Sequence, residues 1–439
     1  MPEELRNTGG RPMRVLFVIS PAKTHLYSVT PLAWAMRTAG HEVRVASQVE
    51  PTLLSLDDIA ATGLHGVSIG PPASLPTIVD DAISKWDMSN APPYVPGQQS
   101  VQEDYAKDDP LAELTMLVEH AYPTFGPDSV IDDFVRLTRS WKPDLVVWDG
   151  TVLPYVGPIG ALACGAAHAR IMFGTDAFVQ LRDAARRQRP DLDPVRDGMG
   201  PVLDRYGLDY TDDLPVGQWT INSMPPWTWR PAGMSYLDMR PIAFNGPHPV
   251  PEWVYEPAPR RRVCISLGTS AQLTGSGASA ADLLEAVADL DVDVIATLDR
   301  NQLAGVAAVP DNVHAVDFVP LTALLGSCAA IVHHGGSGTV TSALENAVPQ
   351  LIVPSDLGGQ KWWAPVAHAN GIEARGAGHY VCDTPQLTGA ILRDHLVKVL
   401  QDPSYAENAA ELRTELFSVP SPNDVVPEIV RLTEEYRPR

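Results

Sequence analysis

At 439 residues the chain is long for one hydrophobic core, so two domains are the default. Its 45% apolar and 19% charged content is that of a soluble globular protein, and the net charge of −21 argues against nucleic acid or an anionic membrane surface as a partner. No run approaches the ~18 apolar residues of a membrane span, the polar start MPEELRNTGGRP is no secretory signal, and four scattered cysteines without C-x-x-C spacing read as reduced thiols of a cytoplasmic protein.

Residues 1–12 are expected to be disordered. Residues 13–20 (MRVLFVIS) read as a buried strand, followed by the loop PAKTH, a helix over 26–39 and a strand over 41–47. That βαβ start predicts a doubly wound parallel α/β domain, whose ligands bind beyond the carboxyl ends of the strands. Residues 62–70 add a strand, and 71–110, rich in Pro, Asp and Ser, read as a long irregular excursion suited to a function. Helical sequence over 111–140 precedes strands at 143–149 (PDLVVWD), 169–173 and 218–222. Residues 224–260, dense in Pro and Trp, read as a stiff linker. A second βα alternation begins at 262–268 (RVCISLG) and runs through 292–298 and 314–318. The expected units are thus 13–223, a linker at 224–260, 261–404, and C-terminal helices in 405–439 packing back towards the first unit.

The most informative stretch is 329–354, AAIVHHGGSGTVTSALENAVPQLIVP. It reads as a strand, a Gly-rich turn, a helix and a second strand. Free N–H groups and the positive end of a helix dipole suit a phosphate, and Ser337, Thr339, Thr341 and His334 add side-chain donors. The turn lacks the P-loop lysine and the dinucleotide G-x-G-x-x-G spacing. A diphosphate cradle of another kind and a turn needed only for packing both remain open. Ser266, Thr269 and Ser270 follow the first strand of the second half, where they suit the same diphosphate or N-cap a helix. Phe318 suits stacking on a nucleobase or plain core. In the first half, His25 lies in the first βα loop and Asp149 ends the strand 143–149. They form a candidate base and orienting carboxylate, with packing the alternative for His25. His333 and His334 are adjacent on a strand end and point to opposite sides, so they do not make a metal site, and no further ligands appear at zinc spacing. Asp191/Asp193 and Asp291/Asp293 are read as solvated turns rather than a metal-binding Asp-x-Asp.

Together these segments resemble the family 1 nucleotide-sugar glycosyltransferases of GT-B fold. The resemblance is carried by 317–339 (DFVPLTALLGSCAAIVHHGGSGT) and by 23–47, 216–222, 244–257 (FNGPHPVPEWVYEP) and 260–270. It is narrowest with bacterial TDP-deoxysugar transferases of macrolide and anthracycline biosynthesis. The resemblance implies two Rossmann-like domains facing each other across a cleft, and inverting, metal-independent transfer with no cofactor. It implies His25 as base with Asp149 as its partner. His334 and Thr339 would bind the diphosphate with backbone help from Gly336, Ser337 and Gly338, Phe318 would stack on the base, and Val319 would meet the base edge. Asp356, Gln360 and a Trp362/Trp363 wall would meet a donor sugar poor in hydroxyls. Ser342 stands where many members carry a ribose-binding Glu, which favours thymidine diphosphate, whose deoxyribose lacks one hydroxyl. The acceptor expected is a hydrophobic polyketide, bound by the first half. The subgroup implies a cytochrome-P450-like auxiliary activator protein that no longer binds haem, and a second copy of the chain, as a homodimer, is a further candidate partner. A nucleotide-sugar epimerase of the same fold would need donor-site carboxylates that the chain does not display. A non-catalytic binding relative would be expected to have lost His25 or the turn.

Overall fold

The computed structural model describes residues 11–73, 109–151, 153–268, 278–354 and 364–437. Most of the expected disordered tail and of the 71–110 excursion lies outside them, as do Thr269, Ser270, Asp356, Gln360, Trp362 and Trp363. Arg11, assigned by sequence to the tail, is placed and ion-pairs with Asp144 at 2.7 Å.

Two all-parallel sheets form the frame. The first has seven strands in the order β3-β2-β1-β4-β5-β6-β7. These are β1 (Arg14–Val18), β2 (Glu42–Ser47), β3 (His65–Ser68), β4 (Leu145–Asp149), β5 (Ala167–Met172), β6 (Trp219–Asn222) and β7 (Tyr236–Asp238). The second has six in the order β10-β9-β8-β11-β12-β13. Its strands are β8 (Arg261–Ser266), β9 (Val292–Thr297), β10 (Val313–Val316), β11 (Cys328–His333), β12 (Gln350–Ile352) and β13 (Gly378–Tyr380). The central strands are continuous apolar runs because helices cover both faces: Leu145, Val146, Val147 and Trp148 are all buried to within 1%. Strand order reverses between β1 and β4 in one sheet and between β8 and β11 in the other, so each has its switch-point crevice there.

The structure corrects the linker. Residues 224–260 were expected to be linker throughout, but Tyr236–Asp238 pairs parallel to β6 as an edge strand, with Thr220 opposite Tyr236. Only the stretch beyond it crosses between the sheets. There Phe244 meets the rings of Tyr27 and Trp34 from the first unit, while Ala243 N–H donates to Glu345 at 3.1 Å on the other side. The last two helices divide. Ser404–Phe417 packs on the second unit through Ala409, Leu412 and Leu416, whereas Pro422–Tyr436 buries Val425, Val426, Ile429 and Leu432 in the core of the first. Among the described residues, no helix is long and apolar enough to cross a membrane.

Candidate active site

The first crevice holds the expected pair. His25 lies in the opening turn of the helix Lys23–Thr38 rather than in the preceding loop, because that helix starts three residues earlier than its apolar pattern suggests. Its N-cap is Ala22, which makes no side-chain cap, so the usual Ser/Thr/Asp/Asn signal is missing. Asp149 ends β4, fully buried. Its Oδ2 sits 2.5 Å from His25 Nδ1. The carboxylate is fixed by backbone donors, Thr151 N–H to Oδ1 at 3.0 Å and Ser20 N–H to Oδ2 at 3.4 Å. With Nδ1 occupied, the imidazole is left with Nε2 as its outward-facing nitrogen, the arrangement of an oriented base. The ring of Phe173, the residue after β5, meets His25 edge-on at 5.0 Å and 87°.

The second crevice holds the Gly-rich turn. His333 ends β11 opposite Ser266 of β8. The helix Ser337–Glu345 follows with Gly336 as an N-cap that offers no side chain, so its first-turn N–H groups lack side-chain acceptors from the cap. Gly335 sits at φ +88°. Its N–H donates to His333 Nδ1 at 3.0 Å, which places the His333 proton on Nε2, 3.1 Å from Gln350 Oε1. The Gly335 carbonyl accepts from His368 Nδ1 at 2.9 Å. Two imidazoles thereby clamp the turn from both sides. His334 points the other way, against the loop after β8: a Cβ on Gly268, itself at φ +75°, would lie 2.3 Å from its ring.

Burial pushes His333 down to about 3 and His368 down to about 4. Dense packing, and then repulsion from His368, push the partly buried His334 down to about 4. The three rings are neutral at physiological pH, so His334 presents a neutral imidazole rather than a fixed cation. Its Nδ1 and His368 Nε2 are buried without a partner among the described residues.

The other predicted donor residues divide. Phe318 is 44% exposed, with the His248 ring 4.2 Å from it, while Val319 behind it is buried. Thr339 lies buried in the first turn of the helix. Ser266 is buried and accepts from Thr297 Oγ1 at 2.9 Å. The Ser337 hydroxyl, expected as a side-chain donor to a phosphate, donates to the Phe173 carbonyl of the first unit at 2.7 Å. Ser342 is fully buried, donating to the Gly338 carbonyl at 2.8 Å and accepting from Asn245 at 3.3 Å, so its side chain is taken up by packing. The reading of Asp193 and Asp293 as solvated turns is corrected. Both are buried: Asp193 pairs with Arg182 and Arg186 at 2.8 and 2.7 Å, and Asp293 lies 3.4 Å from Arg262 and 3.3 Å from His314. Among the described residues, no three His, Cys, Asp or Glu side chains converge as metal ligands would.

Residues 34–268 match the N-terminal domain, and residues 281–432 the C-terminal domain, described as erythromycin biosynthesis protein CIII-like. The chain belongs to this CIII-like family. It is a glycosyltransferase of GT-B fold. This CIII-like chain is 42% identical over 441 residues to the aclacinomycin-T 2-deoxy-L-fucose transferase of Streptomyces galilaeus, covering 97% of each chain. It is 40% identical over 442 residues to the 10-deoxymethynolide desosaminyltransferase of Streptomyces venezuelae, covering 97% of this chain and 98% of that one. Among solved structures, the glycosyltransferase VinC in complex with dTDP superposes with a TM-score of 0.79 at 37% identity, over 96% of this chain and 100% of its own.

Four side chains of the CIII-like site were not foreseen. His368 and Gln350 brace the turn, Phe173 walls His25, and Asn245 ties the linker to the helix Ser337–Glu345, accepting from Thr322 N–H at 2.8 Å and donating to Ser342. Only Asn245 had a local signal, the turn-forming run NGP inside the Pro-rich segment.

Proposed function

We propose that the chain transfers a deoxysugar from a TDP-sugar to a hydroxyl of a polyketide natural product, an antibiotic aglycone or its glycoside, with inversion and without a metal or other cofactor. The observation that carries the reading is the His25–Asp149 pair at one switch point, linked through Phe173 to the Gly-rich turn at the other. His25 Nε2 takes the proton of the acceptor hydroxyl, whose oxygen bonds to the anomeric carbon. The bond from that carbon to the diphosphate oxygen breaks, and its electron pair leaves with TDP. Attack opposite the leaving group inverts the centre. The N-terminus of the helix Ser337–Glu345 and neutral His334 stabilise the departing charge. Relatives named for 2-deoxy-L-fucose and desosaminyl transfer, and VinC in complex with dTDP, support the donor class. Ser342, committed to packing, supplies no carboxylate for a ribose 2′-hydroxyl.

Product mass spectrometry with TDP-deoxysugars and polyketide aglycones tests the activity, and donor turnover without acceptor would point to an epimerase instead. His25→Ala should lower kcat by about 10²–10⁴-fold, the worth of a general base, with TDP affinity intact. Near-native turnover in that variant would remove the base assignment. The P450-like activator and the homodimer belong to the same proposal, on subgroup resemblance. Full activity of the purified chain alone removes the first, and a monomer in sedimentation removes the second.

A further inference from the structure

We propose that Ser337 and Phe173 form a latch across the cleft, through which the donor turn holds the base imidazole in line. This rests on His25 being the base. β5 is fixed up to its last residue, the Ile171 carbonyl accepting from Gly150 N–H at 3.0 Å and the Met172 carbonyl from Ser223 N–H at 2.8 Å. The next carbonyl, of Phe173, accepts instead from Ser337 Oγ–H at 2.7 Å, and Ser337 opens the donor helix 164 positions along the chain. The same residue lays its ring against the His25 imidazole at 5.0 Å and 87°. Asp149 supplies one constraint on that imidazole, at Nδ1. Phe173 supplies the second constraint, with its backbone held by the turn that carries the donor.

Two consequences follow. Ser337 commits its one hydroxyl proton to Phe173 and so has none for a diphosphate, which is left to backbone N–H groups, His334 and Thr339. Phe173 is a positioning residue that acts through His25, and Ser337 acts through Phe173. Loss of either contact should therefore appear in kcat and not in donor affinity.

The test uses the full chain in four forms, Ser337→Ala, Ser337→Thr, Phe173→Leu and the double variant Ser337→Ala/Phe173→Leu. Each is measured for kcat, acceptor KM, the pH profile of kcat/KM and calorimetric TDP affinity. Removing one hydrogen bond should lower kcat in Ser337→Ala about five- to tenfold while the TDP Kd stays within about twofold. Ser337→Thr, which keeps the hydroxyl, should restore kcat. Phe173→Leu should lose kcat similarly and shift the acidic limb of the pH profile, which a general base sets, and the double variant should be no worse than the worse single one. A raised TDP Kd with unchanged kcat in Ser337→Ala would make the hydroxyl a diphosphate ligand and overturn the latch. Native kcat in both single variants, or strictly additive losses, would also overturn it. His25→Ala separates the two readings: if that variant turns over normally the base assignment falls, whereas a dead His25→Ala beside native Ser337→Ala and Phe173→Leu removes the latch alone.

Discussion

Gly335 is the residue on which the Gly-rich turn depends. Its φ of +88° lies where an L-residue is strained, and both its backbone groups are held by histidines. A Cβ there would stand 2.8 Å from the Pro365 side chain and 3.0 Å from Ile352, so strain and collision add. Gly335→Ala should therefore destabilise the chain by more than the ~1–2 kcal/mol of left-handed strain alone. By turning the N–H groups beyond it, the substitution should also raise the TDP Kd by about tenfold or more, the equivalent of one good hydrogen bond. Thermal unfolding and calorimetry measure the two effects separately. A Kd within about twofold of native would mean that the turn does not carry the diphosphate. That a Gly-rich turn with His and hydroxyl residues stood here was legible in the sequence, because strand, turn and helix are contiguous. What holds it was not, since His368 lies 33 positions from Gly335 on the helix Pro365–Ala374, in a stretch where no helix was foreseen.

At the level of the element, the crossing from β11 to the helix Ser337–Glu345 is built on neutral imidazoles, and this makes it acid-sensitive. His333 and His368 protonate only near about 3 and about 4 in the folded chain, against 6.5 for a free imidazole. The unfolded chain therefore binds more protons at mildly acid pH. The stability that comes from burying these rings neutral is complete above about pH 6.5 and is lost as the pH falls from there towards their folded values, by about 1.4 kcal/mol per pH unit per ring. His368→Asn removes one titrating ring while keeping an N–H donor where Nδ1 reaches the Gly335 carbonyl. Its melting temperature should be close to native at pH 7.5 and should fall less than native at pH 5. An equal fall at pH 5 would show that His368 is not part of the acid response. The sheets themselves were readable, because buried parallel strands are short apolar runs between turn signals. Tyr236–Asp238 and Gly378–Tyr380 escaped because runs of three residues carry no period, and only pairing with β6 and with β12 makes them strands.

At the level of the whole molecule, His25 and the Gly-rich turn belong to different sheets, and contacts far apart in sequence set how they meet. Asp149 and His25 could be paired from sequence because both follow central strands of one doubly wound sheet. The bridge from Ser337 to Phe173 could not, since nothing local to either residue refers to the other. The last helix, Pro422–Tyr436, adds a second cross-connection. Its Val425, Val426, Ile429 and Leu432 enter the same core as Leu26, Val29 and Leu32 of the helix that carries His25. Tyr436 stacks on Trp219 of β6 with ring centroids 5.8 Å apart, and Arg437 pairs with the buried Asp144. Burial of these four aliphatic side chains contributes roughly 1.5–3 kcal/mol each to the core they share with the helix Lys23–Thr38, so the first sheet draws stability from sequence at the far end of the chain. Ending the chain after Ser418 should therefore open the helix Lys23–Thr38 and β1 to amide hydrogen exchange and abolish sugar transfer. TDP affinity should stay within about threefold of native, because the turn and its histidine clamp belong wholly to the second sheet. Native exchange protection across 14–38 in the shortened chain would show that the first sheet is stable without this helix, and a lost TDP site would show that the helix supports the second sheet as well.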